Sequence, residues 1–395
     1  MDGRDKPTAT EWERMFRLPL QFLNHARLTL LDRNESMKAA TMSDRVRVAI
    51  LLGGRSSEHE VSLMSAANVV KAIDKAKYDV VPILITKAGE WRELELQNGV
   101  LPDPIPQDGA EICLLPGGGG RLLRLQDGAA PRTVQKIDVL FPVLHGLDGE
   151  DGSVQGLAAV AGIPLAGCGI VGSANALDKD IAKRLLREAG LGVARSLTVR
   201  QGETLGFDQV SAALGLPLFV KPARQGSSVG VSKATSVESF AAALAEAFRH
   251  DRVVLVEEFI EGREIELSVL EQADGETVVS LPGEIVAAAS HGFYTYEAKY
   301  LDEDGARVEV PADLPEDVIA NLQVLAKRAF YALGCDGMAR VDFFLRPDGS
   351  ALVNEINTIP GFTDISMFPK ALAASGIAYP DLIDRVIRHG MARGA

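Results

Sequence analysis

MARVDFFLRPDGSALVNEINT, residues 338–358, reads as two short strands joined by a turn. Asp348-Gly349 is a strong signal for a two-residue hairpin connection. Centring the turn there sets Pro347 opposite Ser350, Leu345 opposite Leu352, Phe343 opposite Asn354 and Val341 opposite Ile356. Val341 with Ile356 and Leu345 with Leu352 form an apolar side interrupted only by the pair Phe343–Asn354. The other side carries Asp342 opposite Glu355 and Arg340 opposite Asn357. A slip of one residue would turn Glu355 to the apolar side, so the hydrophobic pattern favours this register. Two carboxylates directly opposed at ~5 Å repel by about 3 kcal/mol at an effective dielectric near 20, so something must offset them. One solution is a divalent cation, with Asp342, Glu355 and Asn357 as hard oxygen ligands of the Mg²⁺ type beside nucleotide phosphates. The other is neutralisation by Arg340 or by a shared proton.

Upstream, Lys221-Pro-Ala-Arg-Gln-Gly-Ser-Ser-Val-Gly230 joins two apolar strands. Its glycines allow close backbone approach, and Ser227 and Ser228 supply hydroxyls and amides, so it reads as a phosphate cradle or a mobile turn. No Gly-Lys-Ser/Thr follows, which excludes a Walker A loop, and GGRSSEHE (53–60) lacks the dinucleotide pattern GxGxxG. Lys179 and Lys221 are either phosphate donors or solvated surface lysines. Val253–Ile260 followed by Glu264 is either an adenine slot with a ribose-binding carboxylate or simply a strand ending in acids.

The N-terminal part has a different grammar. Val46–Leu52 closed by Gly53-Gly54, a helical pattern (Leu63, Ala66, Ala67, Val70, Ile73) and Asp79–Ile85 form a strand–helix–strand unit, hence a parallel sheet. Residues 97–136, rich in Pro and Gly, read as a surface excursion. Ile137–Leu144 is the next strand, and the loop HGLDGEDG (145–152) leaves its C-terminal end, where ligands bind in open α/β sheets. One long helix is expected over 174–189, strands over 216–221, 253–259, 263–271 and 278–287, helices over 237–248 and 314–333, and a polar aromatic loop over 289–304.

Composition bounds the function. The 395 residues carry 54 Asp+Glu against 41 Lys+Arg, a formal charge of −13 that repels phosphate backbones and argues against nucleic-acid binding. Hydrophobic residues reach 47%, enough for full cores, and no stretch approaches the ~20 apolar residues that span a bilayer. Cys113, Cys168 and Cys335 are far apart and without metal spacing, which suits a reducing cytoplasm. Residues 1–42, interrupted by Asp2, Asp5, Glu11 and Glu13, match neither a signal nor a transit peptide. They are expected to be a poorly ordered extension, or the product of an early start codon before Met42.

In order along the chain, LLGGRSSEHEVSL (51–63), HGLDGEDGSVQG (145–156), ALDKDIAKRLL (176–186), KPARQGSSVGVSK (221–233), YEAKY (296–300), MARVDFF (338–344) and NEINTIPGFTDISMFPK (354–370) resemble the D-alanine–D-alanine ligase family of ATP-grasp enzymes. The likeness runs from residue 46 to the C-terminus. It implies a mixed α/β chain, α+β in its ATP-binding part, with a three-domain ATP-grasp architecture: an N-terminal parallel-sheet substrate domain (43–167), a central lid (168–257) and a C-terminal catalytic domain (258–395). It also implies ligation of two D-alanines with ATP through an acylphosphate, two Mg²⁺ ions with Mn²⁺ able to substitute, a cytoplasmic homodimer, and a role in peptidoglycan precursor synthesis.

Site roles follow motif by motif from that resemblance. Glu58 would bind the ammonium of the first D-alanine, with Val61 and His145 nearby. Ser227 and Tyr300 would bond with Glu58 and pin a closing loop. Lys179, Lys221 and Ser228 would take phosphates and Lys299 the γ-phosphate, while Glu257, Phe259, Ile260 and Glu264 would form the adenine and ribose wall. Asp342, Glu355 and Asn357 would hold the metals. Arg340 and the amide of Gly361 would stabilise the oxyanion, and Ser366 and Met367 would meet the second substrate. The aromatics of the loop (Phe293, Tyr294, Tyr296, Tyr300) would exclude water from a labile intermediate or rest on the core as an ordinary surface loop. Relatives that make D-alanyl-D-lactate carry another residue at the position of Tyr300, which points here to an amine as second nucleophile. Two other readings stand beside this one: a ligase for another amino or hydroxy acid, and a non-catalytic ATP-binding regulator.

Overall fold

The first strand, β1 (Val46–Gly53), is apolar on both faces, and its side chains divide between two cores. Val48, Ile50 and Leu52 join one core, whereas Ala49 and Leu51 join the other, the pattern of a parallel strand covered by helices on both sides. After α1 (His59–Ala72), β2 (Tyr78–Ile85) returns parallel to β1, and the short β3 (Trp91–Glu93) adds at the edge. The expected surface excursion is not structureless. It holds β4 (Ile112–Leu114), β5 (Arg121–Arg124) and β6 (Arg132–Lys136), a small antiparallel sheet whose Ile112, Leu114 and Leu122 pack into the second core. Turns rich in Pro and Gly hide strands this short. β7 (Val139–Pro142) completes the first sheet, in the order β3-β2-β1-β7, and α2 (Ser153–Ala161) follows the loop at its end. The chain leaves β1 through Gly53, where a Cβ would lie 2.3 Å from the Ile85 carbonyl oxygen, so only glycine fits.

The computed structural model describes residues 45–125, 130–287 and 306–394. The aromatic loop expected at 289–304 and the extension expected at 1–42 lie outside the described residues. Arg45–Ala395 cluster as one compact unit.

The single helix expected over 174–189 is two: α3 (Ile170–Leu177) and α4 (Lys179–Glu188). Asp178 breaks them. Its backbone is extended (φ −79°, ψ 98°), and its carboxylate accepts the amides of Asp180 and Ile181, an N-cap that starts the second helix. β8 (Ser196–Arg200), α5 (Phe207–Leu214), β9 (Leu218–Pro222), β10 (Ser232–Ala234), α6 (Val237–His250) and β11 (Val253–Glu258) form an antiparallel sheet ordered β10-β9-β11-β8. α6 begins in a Ser236–Ser239 capping box and lays Phe240, Ala243 and Ala247 on Val220, Val254 and Val256.

The third sheet contains β12 (Arg263–Glu271), β13 (Thr277–Val279), β14 (Gly283–Ala287), β15 (Ala306–Glu309), and, after α7 (Glu316–Ala332), β16 (Met338–Leu345) and β17 (Ala351–Asn357); α8 (Met367–Ala374) and α9 (Tyr379–Arg393) close the chain. The one strand expected over 278–287 is divided into β13 and β14, with Pro282 in the gap. Ile265, Leu267 and Val269 of β12, with Val341 and Phe343 of β16, pack on Leu322, Ala326 and Phe330 of α7. The alternation of the strands therefore sends Glu264, Glu266, Arg340 and Asp342 to the other face.

The register of the hairpin holds at the acids and fails at the turn. Arg340 pairs with Asn357, Val341 with Ile356 and Asp342 with Glu355 as expected, but a bulge follows and Phe343 meets Val353, not Asn354. Leu345 accordingly faces Ala351 instead of Leu352. The turn has three residues rather than two: Arg346 donates to the Ser350 carbonyl, and Gly349 takes the left-handed conformation (φ +82°). A type I turn closed by a left-handed glycine needs that extra residue, and the bulge absorbs it while keeping Glu355 on the face of Asp342.

Candidate active site

Across three neighbouring strands, Glu266, Asp342 and Glu355 stand in one row, because β12 pairs Glu266 with Asp342 and β17 pairs Glu355 with it. Arg340 occupies the next position on the same face. Its guanidinium grips both oxygens of Asp342 at 2.7 Å and touches Glu266 at 2.9 Å. Burial works against this charge, but Asp342 and Glu266 outweigh it and hold the guanidinium protonated. Asn357 donates its amide to Asp342 at 3.0 Å, and Lys179 lies 3.7 Å from Glu355. Arg340 thus provides part of the neutralisation.

This donor set fits a hard cation. Asp342 and Glu355 offer carboxylate oxygens and Asn357 an amide oxygen on one face of the hairpin, the hard donors that Mg²⁺ takes. Among the described residues no three His, Cys, Asp or Glu side chains converge as a metal cluster, so such an ion needs oxygens from elsewhere, as Mg²⁺ on a nucleotide has.

Beside this row a cavity of about 370 Å³ opens, lined by Lys179, Lys221, Ser228, Glu257, Ile260 and Glu264, among others. A larger hollow of about 510 Å³, bounded by Arg263, Leu314, Val318 and Arg346, gathers none of these groups. Lys179 donates to the Gln225 carbonyl at 2.8 Å, and burial pushes its ammonium down in pKa against the pull of Glu355. Lys221 contacts Glu257 at 2.8 Å. Phe259 is half exposed at the cavity wall and stacks on Phe219 at 6.0 Å, with Lys233 over its ring. Ser227 and Ser228 are both left-handed (φ 49° and 59°), a conformation that costs a non-glycine residue about 1–2 kcal/mol and clusters at functional sites.

The same loop reaches the first sheet. Ser227 donates its hydroxyl to Glu58, which stands at the N-terminus of α1. A Cβ on Gly226 would lie 2.8 Å from Glu58 Oε2, so this glycine serves close approach to the carboxylate. Val61 is buried one turn on. His145 is also buried; its Nδ1 lies 2.9 Å from the Ile359 carbonyl and its Nε2 3.3 Å from the Ser65 hydroxyl. Burial lowers its pKa despite Glu58, which favours the neutral ring. Glu150 accepts the amides of Gly146 and Ile359, and burial, with Glu58 and Glu355 adding, raises its pKa to about 7. Ser366 bonds Thr363 at 2.7 Å and crowds Gly361, where a Cβ would lie 2.7 Å from its hydroxyl. Met367 is buried with its sulfur against Gly283. Lys299 and Tyr300 lie outside the described residues.

Two family models match the chain. One describes the D-Ala–D-Ala ligase N-terminus and covers residues 47–168; the other describes its C-terminus and covers residues 185–388. The chain belongs to the D-alanine–D-alanine ligase family. A D-alanine–D-alanine ligase A from Mesorhizobium japonicum is 59% identical over 357 residues, which span 89% of this chain and 99% of that one. The structure of the Coxiella burnetii D-alanine–D-alanine ligase aligns with TM-score 0.78 and 34% identity, over 89% of this chain and 95% of that chain. A D-Ala:D-Ser ligase from Enterococcus faecalis aligns with TM-score 0.77 and 35% identity, over 88% and 99%. The mixed parallel and antiparallel sheets are therefore those of an ATP-grasp member of the ligase family.

Four groups in this ligase-family site escaped the motif reading. Glu266 joins the acid row only through the pairing of β12 with β16, which no local pattern reveals. Ser65 and Glu150 position His145 and the Ile359 backbone from distant segments. Lys183 pairs with Glu257, and its signal was available: it follows Lys179 by four residues on one helix face.

Proposed function

We propose that the chain joins two D-alanines at the expense of ATP, giving D-alanyl-D-alanine, ADP and phosphate for peptidoglycan precursors. The observation that carries this is the glycine-serine loop. Ser227 bonds to Glu58 at the end of the first sheet, while Ser228 lines the cavity that holds Lys179 and Lys221. One turn of chain thus ties an ammonium-binding carboxylate to a phosphate-binding cavity, which is what phosphorylating an amino acid requires.

In the proposed reaction, Glu58 holds the ammonium of the first D-alanine, with Val61 toward its methyl and His145 beside it. Lys221 and Lys179, with Ser228 and Lys299, orient the triphosphate. Glu257, Phe259, Ile260 and Glu264 hold the nucleoside, and the Glu257 carboxylate accepts from the amino group of the base. The substrate carboxylate attacks the γ-phosphorus and ADP leaves. The amine of the second D-alanine attacks the resulting acylphosphate carbonyl, the oxyanion develops against Arg340 and the Gly361 amide, and phosphate departs as the nitrogen loses its proton. Ser366 meets the second carboxylate; Met367, packed on Gly283, supports that helix end. The family is ATP-dependent and uses a divalent metal. We assign that role to Mg²⁺, two ions with Mn²⁺ able to substitute, held by Asp342, Glu355 and Asn357, where it would screen phosphate charge. Tyr300 would pin the closing loop.

We extend the proposal to a three-part division at 43–167, 168–257 and 258–395, to a homodimer, and to the cytoplasm. Among the described residues no helix is long and apolar enough to cross a membrane. Likeness to a D-Ala:D-Ser ligase supports a second reading, with D-serine as second substrate. Incubation with ATP, Mg²⁺ and D-alanine, alone and against D-serine, followed by identification of the product, tests both. No D-alanine-dependent phosphate release would refute the ligase; a D-Ala-D-Ser product dominating at equal concentrations would favour the second reading.

A further inference from the structure

Lys183 has no part in that scheme, yet it is 2% exposed and does not line the cavity that Lys221 and Glu257 share. It sits one helical turn beyond Lys179 on α4, and its Nζ stands 3.1 Å from Glu257 Oε1. Lys221 holds the other oxygen of the same carboxylate at 2.8 Å. The two lysines are not equivalent. Lys221 can turn toward bound phosphates, and polyanionic phosphates compete for it. If Lys221 turned away from Glu257 and no other cation remained, a buried carboxylate would be left unpaired, and it would take up a proton. A protonated Glu257 would carry a hydroxyl donor on one oxygen and keep only a neutral, weaker carbonyl acceptor for an amino group.

We propose that Lys183 is a positioning residue for base recognition: it keeps Glu257 ionised and oriented as an acceptor for the amino group of adenine while Lys221 serves the phosphates. This rests on the assignment of the cavity to ATP. The electrostatics agree with the geometry. Burial alone would raise the Glu257 carboxyl, but Lys183 and then Lys221 outweigh it and hold it below the usual range. Lys183 itself is pushed down by burial, against Glu257.

The test compares ATP with inosine triphosphate, which carries a carbonyl acceptor in place of the amino donor, by kcat/KM in the full-length enzyme with D-alanine saturating. Wild type is expected to prefer ATP by about tenfold or more, because a site built for a donor rejects an acceptor. Lys183→Met should cut that preference by about tenfold, through KM for ATP, with KM for D-alanine within about twofold of wild type. Lys183→Arg, which keeps the charge, should restore it. If Lys183→Met proves insoluble, Lys183→Gln carries the same comparison. An unchanged ATP preference in the variant, or a loss shared equally by both nucleotides, would overturn the inference. A wild type that turns over ATP with D-alanine but shows no preference would overturn it as well, while leaving the ligase reading intact. A wild type with no D-alanine-dependent turnover would instead remove the reading on which it rests.

Discussion

Replacing Arg340 by methionine exposes what the acid row costs when its cation is removed. The guanidinium makes two hydrogen bonds to Asp342 at 2.7 Å and a contact to Glu266 at 2.9 Å, all partly or fully buried. Without it, Glu266 and Asp342 face each other across a ladder at ~5 Å, a repulsion of about 3 kcal/mol at an effective dielectric near 20. Glu355, next in the row, keeps its contact with Lys179, so the penalty falls mainly on the other two. The total should match the ~3–5 kcal/mol typical of a buried pair broken on one side. Urea unfolding of wild type and Arg340→Met at pH 7 measures it without substrates. The sign of the pH dependence is a second check. In the variant the folded state gains affinity for protons, so its bound-proton count exceeds that of the unfolded chain, and stability falls as pH rises. The deficit should therefore shrink on lowering the pH from 7 to 5. A deficit below about 1 kcal/mol, or one of equal size at both pH values, would refute the account of the row.

Three further outcomes are expected. Ser227→Ala removes the hydroxyl bound to Glu58 and should raise KM for the first D-alanine by about tenfold with a smaller effect on KM for ATP, read from initial rates. The pKa of Glu150 is raised to about 7, so the folded state favours its protonated form, and stability from this group is full below about pH 4.5 and is lost as pH rises to 7. Glu150→Gln should flatten that loss, gaining about 3 kcal/mol on wild type between pH 5 and pH 8 in urea midpoints; parallel pH profiles would remove the assignment. Tyr300→Phe should raise D-alanyl-D-lactate formation when D-alanine and D-lactate compete, and an unchanged product ratio would discard that role for the tyrosine.

Much of this site was legible because its parts are local. The apolar alternation was enough to set Asp342 opposite Glu355, whereas the two-residue turn expected at Asp348-Gly349 has three residues and a bulge restores the register at the acids. A short loop between two strands allows few registers, and burying one face selects among them. The break at Asp178 is equally local, an N-cap aspartate inside an apolar pattern, but the periodicity on both sides of it reads as one continuous helix. The motifs also sufficed to name the family, since their joint order is far more specific than any one of them.

Tertiary structure alone decided which groups those local pieces meet. Ser227 bonds a carboxylate 169 positions away. Glu266 enters the acid row from a strand outside the hairpin, and Lys183 finds its partner on the central sheet rather than on its own helix. The physical reason is that a period of two or 3.6 residues states which side of an element a side chain leaves, but not what lies opposite. That is settled by how sheets and helices stack to bury their apolar faces, and only then do the charges on the remaining faces acquire neighbours.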